Sequence, residues 1–218
     1  MKYTKEDARR IVLNCAKKYH QKLLNRKLLI VYREREDNLI HYIEVVFLKR
    51  NFQHLTGLEL IDSKGNVLHN QSVNFFRKCI DNKLSVDDFQ FKADGTTQLK
   101  LQALPALMDL TKITKITGDY NNIRPYLYVD KVMGGVNFCL GLSKEDNLYV
   151  PSSALLEDIK KLTNNPSQVL AILEYDISEK KYSIIRHVAK GLNLNNISLS
   201  NQLKSMISLE NYVYKGKQ

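Results

Sequence analysis

The amino-acid sequence predicts an α+β fold, with a helix and a hairpin first and mostly antiparallel strands later. Apolar residues recur at helical spacing near the N-terminus, and β-branched runs separated by short turns fill the second half. The order of elements is not that of a doubly wound parallel sheet. The 218 residues, 44% of them hydrophobic with only nine Gly and four Pro, predict one large domain or one domain with an appendage.

The first predicted element is a basic amphipathic helix over residues 4–24, within an N-terminal segment of residues 1–26. Its apolar positions are expected to face the core: Ala8, Ile11, Val12, Cys15, Tyr19 and Leu23. Residues 1–50 carry +7 of the net charge of +10. Such a basic face either attracts a polyanion, most commonly nucleic acid, or only keeps the helix solvated. The candidate contacts are Arg9, Arg10, Lys17 and Lys18.

Between this helix and residue 113 the pattern predicts strands and helices in turn. Runs of β-branched and aromatic residues indicate a hairpin, and capping residues before apolar periodicity indicate helices. Pro105 is expected to kink or break the last helix, whose buried stripe is predicted as Leu99, Ala103, Leu107 and Leu110. The elements are strands at 27–33 and 39–49, a helix at 70–82, one helical turn at 85–88 and a helix from Thr96 or Thr97 to Ile113.

The second half of the chain is richer in strand signals. Strands are predicted at 126–132, 136–142 and 148–150, and the Pro-Ser-Ser at 151–153 is expected to open a short helix that ends near Leu162. A second hairpin at 168–176 and 181–187 completes an α+β domain over residues 27–190. Residues 191–218 are polar and rich in Asn, and are expected to form a tail.

Several catalytic classes lack their usual signatures in this sequence. There is no phosphate-binding G-x-x-x-x-G-K-[ST], no Rossmann glycine pattern and no G-x-S-x-G. The five His and three Cys have no metal-ligand spacing, so we expect no metal and no cofactor. The apolar runs are far shorter than the ~18 residues of a membrane span, and residues 1–10 carry no apolar signal core. A cytoplasmic protein without membrane contact is expected.

The densest group of chemically active side chains lies in residues 49–57. If the chain stays extended there, four of them project to one side: Arg50, Phe52, His54 and Thr56. Arginine neutralises a phosphate, phenylalanine stacks on a base, and histidine moves protons near neutral pH. This combination suits a phosphodiester substrate. Alternatively, His54 hydrogen-bonds a turn while Phe52 and Leu55 pack inward.

Residues 51–57, Asn-Phe-Gln-His-Leu-Thr-Gly, resemble the signature of a Firmicute and phage family classed with the phage barnase–EndoU–colicin–RelE-like nucleases. The resemblance covers about residues 40–190 and extends to three further sites: Phe76 with Cys79, the Gly-Thr-Thr at 95–97 with Lys100, and Tyr-Val-Pro-Ser-Ser at 149–153. It implies N-terminal helices packed on an antiparallel sheet that binds RNA. It also implies metal-independent ribonuclease activity in conflict between phages or mobile elements and bacteria.

The resemblance further implies roles for single residues. His54 matches the motif histidine and would act as general base or acid, and Thr56 would hold the phosphate or orient the imidazole. Lys100 would stabilise the phosphorane, unless it is a solvent-facing helix lysine. Ser153 would bind phosphate at a helix N-terminus, unless it is an ordinary N-cap. Tyr149 would stack on a base or support a proton transfer.

The expected activity is therefore an RNA endonuclease in which the 2′-OH attacks its own phosphate and leaves a 2′,3′-cyclic phosphate. Host tRNA, rRNA or mRNA is the expected substrate, and an antitoxin or immunity protein is a possible partner. No glutamate base is assigned, because Glu44 and Glu59 lie within range of His54 but in no motif. The alternative is a non-catalytic module that binds nucleic acid or a host protein.

Overall fold

The computed structural model describes residues 2–123 and 127–213, which include helices α1–α6 and strands β1–β10. The helices are α1 (Lys5–Lys22), α2 (Lys49–Thr56), α3 (Ser72–Ile80), α4 (Thr96–Leu107), α5 (Leu110–Ile113) and α6 (Asn201–Met206). The strands are β1 (Lys27–Arg33), β2 (Ile40–Val46), β3 (Leu58–Leu60), β4 (Phe89–Phe91), β5 (Ile116–Asp119), β6 (Lys131–Gly134), β7 (Cys139–Glu145), β8 (Leu148–Leu155), β9 (Ser167–Asp176) and β10 (Lys181–Val188). Short 3₁₀ turns lie at Val86–Asp88, Ile159–Lys161 and Leu194–Asn196.

One large sheet organises the fold, with the strand order β1-β2-β8-β7-β6-β5-β9-β10. Its neighbouring strands run antiparallel except β2 and β8, which are parallel and meet at Val45 and Tyr149. Strand β9 also pairs with β1, so the series of hydrogen-bonded strands from β1 to β9 closes on itself. Strand β10 pairs with β9 outside this closed series. Strands β3 and β4 form a separate small ribbon. The prediction of a single α+β domain built on a largely antiparallel sheet is confirmed.

Helices α1–α4 and one face of the sheet enclose the main core. The spacing of apolar residues in α1 explains its position, because Val12, Ala16 and Tyr19 fall on one side and are fully buried. The Tyr19 ring lies 5.1 Å from that of Phe52 and 5.8 Å from that of Phe76. Its hydroxyl donates to the Leu48 carbonyl at 3.0 Å. The prediction of an amphipathic α1 is confirmed, and Thr4 caps its first turn through a hydrogen bond from Asp7 N.

Two predicted elements differ from the structure in the second half of the chain. Residues 151–155 continue strand β8, in which Ser153 pairs with Gly141, instead of opening a helix. The β8 residues belong to an established ladder with β7, and this tertiary pairing outweighs the local Pro-Ser-Ser capping pattern. The predicted strand at 126–132 begins at Tyr126, which lies outside the described residues, and the observed strand β6 starts at Lys131.

Helix α4 ends at Leu107, and a short break separates it from α5, as Pro105 suggested. Its predicted stripe is correct at Ala103 and Leu107 but wrong at Leu99, which is 57% exposed. The buried side is completed by Thr97, Leu101 and Leu104.

The expected tail is packed on the sheet as far as it is described. Leu194, Leu203 and Ile207 are buried against the face of β1, β9 and β10 that α1–α4 leave open. The segment expected as a tail thus packs on the fold at residues 192–212, whereas residues 214–218 lie outside the described range. Leu199, Leu203, Met206 and Ile207 recur at helical spacing, and α6 forms among them.

Candidate active site

Residues 49–56, expected to continue an extended chain, form helix α2 directly after β2. The side chain of Asn51 closes the first turn, where its Oδ1 accepts a hydrogen bond from Leu48 N at 3.0 Å. Gly57 ends the helix with φ of 69°, a left-handed conformation that glycine adopts readily. Residues at every second position do not share a side of a helix, so the expected common face is wrong. His54 is exposed, whereas Phe52 and Thr56 are fully buried.

Phe52 and Thr56 have structural positions that do not fit their expected roles. The Phe52 ring packs among Tyr19, Phe75 and Phe76, so it has no face to stack on a base. The Thr56 hydroxyl donates to the Gln53 carbonyl at 2.7 Å and accepts from Leu58 N at 3.1 Å. It satisfies the backbone where α2 ends and is not available to a phosphate.

The end of α2 meets the start of α4, which brings two separate sequence motifs together. Thr97 Oγ1 donates to the Gly57 carbonyl at 2.6 Å and accepts from Lys92 N at 2.9 Å. A Cβ atom on Gly57 would lie 3.0 Å from Thr97 Cα and 3.1 Å from Lys100 Cδ, so any other residue would push α4 away by a few tenths of an ångström. Lys100 Nζ donates to the main-chain carbonyl of His54 at 2.7 Å. His54 and Lys100, 46 residues apart in sequence, are therefore neighbours.

The neighbours of His54 favour its neutral form. Partial burial lowers the pKa of its imidazole below the ordinary 6.5, and the charges of Lys100 and Lys92 lower it further. Burial likewise lowers the pKa of Lys100 to about 8, with Lys92 acting in the same direction and Asp94 against it. At neutral pH the site thus holds an imidazole able to accept a proton beside a lysine that is mostly charged.

Ser153 and Tyr149 lie together on β8 but in different surroundings from those expected. Ser153 is buried within the sheet, and no helix begins there, so the phosphate-binding and N-cap interpretations are both wrong. Tyr149 is half-buried, and burial raises the pKa of its hydroxyl. The charges that act on Tyr149 are those of Lys131, Asp119 and Asp130, not those around His54.

Tyr149 belongs to a polar cluster on the sheet that the sequence analysis missed. Lys131 forms an ion pair with Asp119, and its ammonium lies 6.0 Å from the centre of the Tyr32 ring. Tyr32 in turn stacks on His41, with ring centroids 6.0 Å apart. These residues come from β1, β2, β5, β6 and β8, so only the strand pairing assembles them. No local signal in the sequence connects them.

The basic residues of α1 divide into two groups. Arg9 donates to the Leu84 carbonyl at 2.6 Å, and Arg10 pairs with Asp7 at 2.8 Å. Lys17 and Lys18, further along the helix, are exposed.

Arg50, at the start of α2, forms an ion pair with Glu145 in which both side chains are about half exposed. Such a surface pair is weak, so its partner does not prevent Arg50 from contacting a phosphate.

The described residues show neither a metal-binding cluster nor a membrane-spanning helix. Within residues 2–123 and 127–213, no group of three or more His, Cys, Asp or Glu is arranged to hold a metal ion. None of the helices described is long and apolar enough to cross a membrane. Burial raises the pKa of the Cys15 thiol to about 11 and that of Cys79 to about 12, so both thiols stay protonated.

Comparison with known proteins gives one match. A sequence model of the family described as phage-Barnase-EndoU-ColicinE5/D-RelE like nuclease 4 (PBECR4) matches residues 11–191, which is most of the chain. No curated protein and no solved structure matches.

Proposed function

Because the chain belongs to the phage-Barnase-EndoU-ColicinE5/D-RelE like nuclease 4 family, we propose that it is an RNA endonuclease whose reaction depends on His54 and Lys100. The family expected from the sequence motifs is confirmed, and nucleic acid is the substrate that a nuclease family implies. The proposal rests on one observation: at the junction of two motifs, Lys100 donates to the main-chain carbonyl of His54, and its charge helps to lower the pKa of the His54 imidazole.

The proposed reaction begins when His54 takes the proton of an RNA 2′-OH. The freed oxygen attacks the adjacent phosphorus, the bond to the 5′ oxygen breaks, and that oxygen takes a proton from solvent. The products carry a 2′,3′-cyclic phosphate and a 5′-OH. Lys100 has three N–H groups and gives one to the His54 carbonyl, so it keeps donors for the phosphorane oxygens. This chemistry requires no metal.

Further parts of the proposal concern binding and biological context. Arg50, Lys17 and Lys18 are exposed cations suited to phosphates of the substrate, and the half-buried Tyr149 offers part of its ring to a base. The target is RNA of a bacterial host in the cytoplasm, and a toxin of this kind would have an antitoxin or immunity protein as partner. The family description, which names phage and colicin nucleases, supports this context.

The test is incubation of the purified chain with a mixed RNA pool in EDTA, followed by analysis of the product ends. The His54→Ala variant is compared with His69→Ala, since His69 is an exposed loop histidine. We expect the wild type and His69→Ala to leave 2′,3′-cyclic phosphates, and His54→Ala to lose about 10²–10⁴-fold in rate with an unchanged melting temperature.

Two outcomes would contradict the proposal. Cleavage by His54→Ala at the wild-type rate would show that His54 takes no part in the reaction. A folded wild type that binds RNA in a salt-sensitive manner but never cuts it would favour the non-catalytic binding module, in which the exposed Lys17 and Lys18 supply the contact.

A further inference from the structure

A second polar site lies at the other end of α4, in a pocket of about 270 Å³. The end of α1, the link between α4 and α5, and strands β9 and β10 enclose it. Its charged lining includes Lys22, Arg26, Lys112, Glu174 and Arg186. None of these residues belongs to a motif noted in the sequence, and none takes part in the proposed reaction.

Glu174 lies in the wall of this pocket and is only 2% exposed. Its Oε1 accepts from Arg26 Nη1 at 2.5 Å, and its Oε2 accepts from Arg186 Nε at 2.6 Å. Each carboxylate oxygen therefore holds a different guanidinium. A carboxylate that is buried and bonded on both oxygens is poorly placed to act as a base, but it fixes the direction of both arginines.

The two arginines combine orientation with access to solvent. Both side chains are 40% exposed, so the guanidinium groups are not sealed in the core. A guanidinium has five N–H groups, and Glu174 uses one from each arginine, while Arg26 gives another to the Gln21 carbonyl. Donors therefore remain in a fixed geometry. Planar, pre-oriented guanidinium groups suit the oxygens of a phosphate.

Lysines add positive charge around the same pocket. Lys22 pairs with Asp109 at 3.0 Å, and the hydrogen bond from Lys22 lowers the pKa of the Asp109 carboxyl. The charges of Lys112 and Lys18 act on the same carboxyl. With the two arginines, five cations thus face two carboxylates, Asp109 and Glu174, and the excess is positive. Lys18 also connects the pocket to the basic surface of α1.

We propose that this pocket binds a phosphate group of the RNA, with Arg26 and Arg186 as its ligands and Glu174 as their positioning residue. The inference rests on the proposed function and extends it. Lys100 and Leu107 are seven residues apart on α4, about 10 Å by the rise of a helix, and Met108 already lines the pocket. The phosphate bound here is therefore not the scissile one but another phosphate of the same RNA strand.

The experiment measures binding of a labelled single-stranded RNA to the full chain carrying His54→Ala, which prevents turnover. Arg186→Gln is compared with Arg77→Gln, since Arg77 is an exposed arginine of α3 outside the pocket. We expect Arg186→Gln to weaken binding about 10-fold and to reduce the slope of log affinity against log salt by about one charge. Arg77→Gln should change neither.

A second variant distinguishes a loss of binding from a loss of folding. Lys22→Gln alters an exposed side chain at the rim and should weaken binding by about 3-fold with an unchanged melting temperature. If folded Arg186→Gln and Lys22→Gln both bind RNA like the parent, the proposal is wrong.

Inorganic phosphate and a mononucleotide, titrated separately, distinguish the source of the phosphate. We expect both to compete with RNA only at millimolar concentration. Micromolar binding of either one, lost in Arg186→Gln while RNA binding is unchanged, would assign the pocket to a small phosphate ligand and overturn the proposal. Binding needs no cleavage, so this result and the failure of the nuclease proposal are distinguishable.

Discussion

The proposed reaction needs His54 deprotonated and Lys100 protonated, so the two residues favour opposite directions of pH. The reaction needs the neutral imidazole, whose pKa lies below 6.5, and the charged ammonium, whose pKa is about 8. The value of kcat/KM should therefore rise with pH through the imidazole pKa and fall above about pH 8. In Lys100→Arg the charge persists to much higher pH, so the alkaline fall should disappear. A pH–rate profile of both proteins checks this expectation.

An alkaline fall that is unchanged in Lys100→Arg would show that another group titrates there. Lys112→Arg is the control for the arginine substitution, because it changes a lysine of α5, beyond the opposite end of α4. Its profile should keep the fall above about pH 8.

Residue types identified side chains that the structure places together, but they did not predict the geometry around them. His54 was found through its motif, and the structure leaves it exposed beside Lys100. Phe52 and Thr56 belong to the same motif, yet both have structural roles. Phe52 packs α2 against Tyr19, and Thr56 bonds the backbone at the end of the helix. A motif records which residues occur together without separating those that react from those that support. Glu174 was missed because a single glutamate in an apolar strand has no local signal.

Among the elements, long periodic segments were predicted correctly, whereas α2 and the second half of β8 were not. Helix α1 and the hairpin of β9 and β10 have long, regular patterns that tertiary contacts reinforce. Helix α2 has eight residues, and its apolar positions are too few to establish a period. In β8, a pattern typical of a helix start lies within a strand. Pairing with β7 decides its conformation, and pairing partners cannot be inferred from local sequence.

The junction of α2 and α4 depends on Gly57, and a pair of substitutions isolates its contribution. Gly57→Ala adds a Cβ at 3.0 Å from Thr97 Cα in a residue with φ of 69°, whereas Gly65→Ala has φ of 84° and no atom within 4 Å. Both should lose about 1–2 kcal/mol from the left-handed backbone. We expect Gly57→Ala to lose about 1–3 kcal/mol more, because α4 must move away. Urea unfolding measures both.

Cleavage assays on the same pair test the link from this junction to activity. The displacement of α4 should separate Lys100 from His54, so Gly57→Ala should cut RNA more slowly and Gly65→Ala at the wild-type rate. Equal stability and equal activity of the two variants would show that the close approach has no effect on the site.

At the scale of the whole molecule, the segment after β10 is part of the fold. Leu203 is fully buried in α6 against the sheet, and the adjacent Lys204 is exposed. Leu203→Ala should therefore lower the free energy of unfolding by about 2–5 kcal/mol, and Lys204→Ala should change it by less than about 0.5 kcal/mol. Chemical denaturation of both variants is the measurement. Equal stabilities would mean that this segment is only loosely attached.

The pairing of β1 with β9 has a consequence for the order of events during synthesis. Leu28 lies opposite Glu174, so β1 pairs with a strand that is synthesised much later. On the ribosome, the sheet cannot close and the Arg26–Glu174 pair cannot form until β9 has emerged. A chain that stops before β9 therefore has neither the closed sheet nor the pocket that we propose for a phosphate.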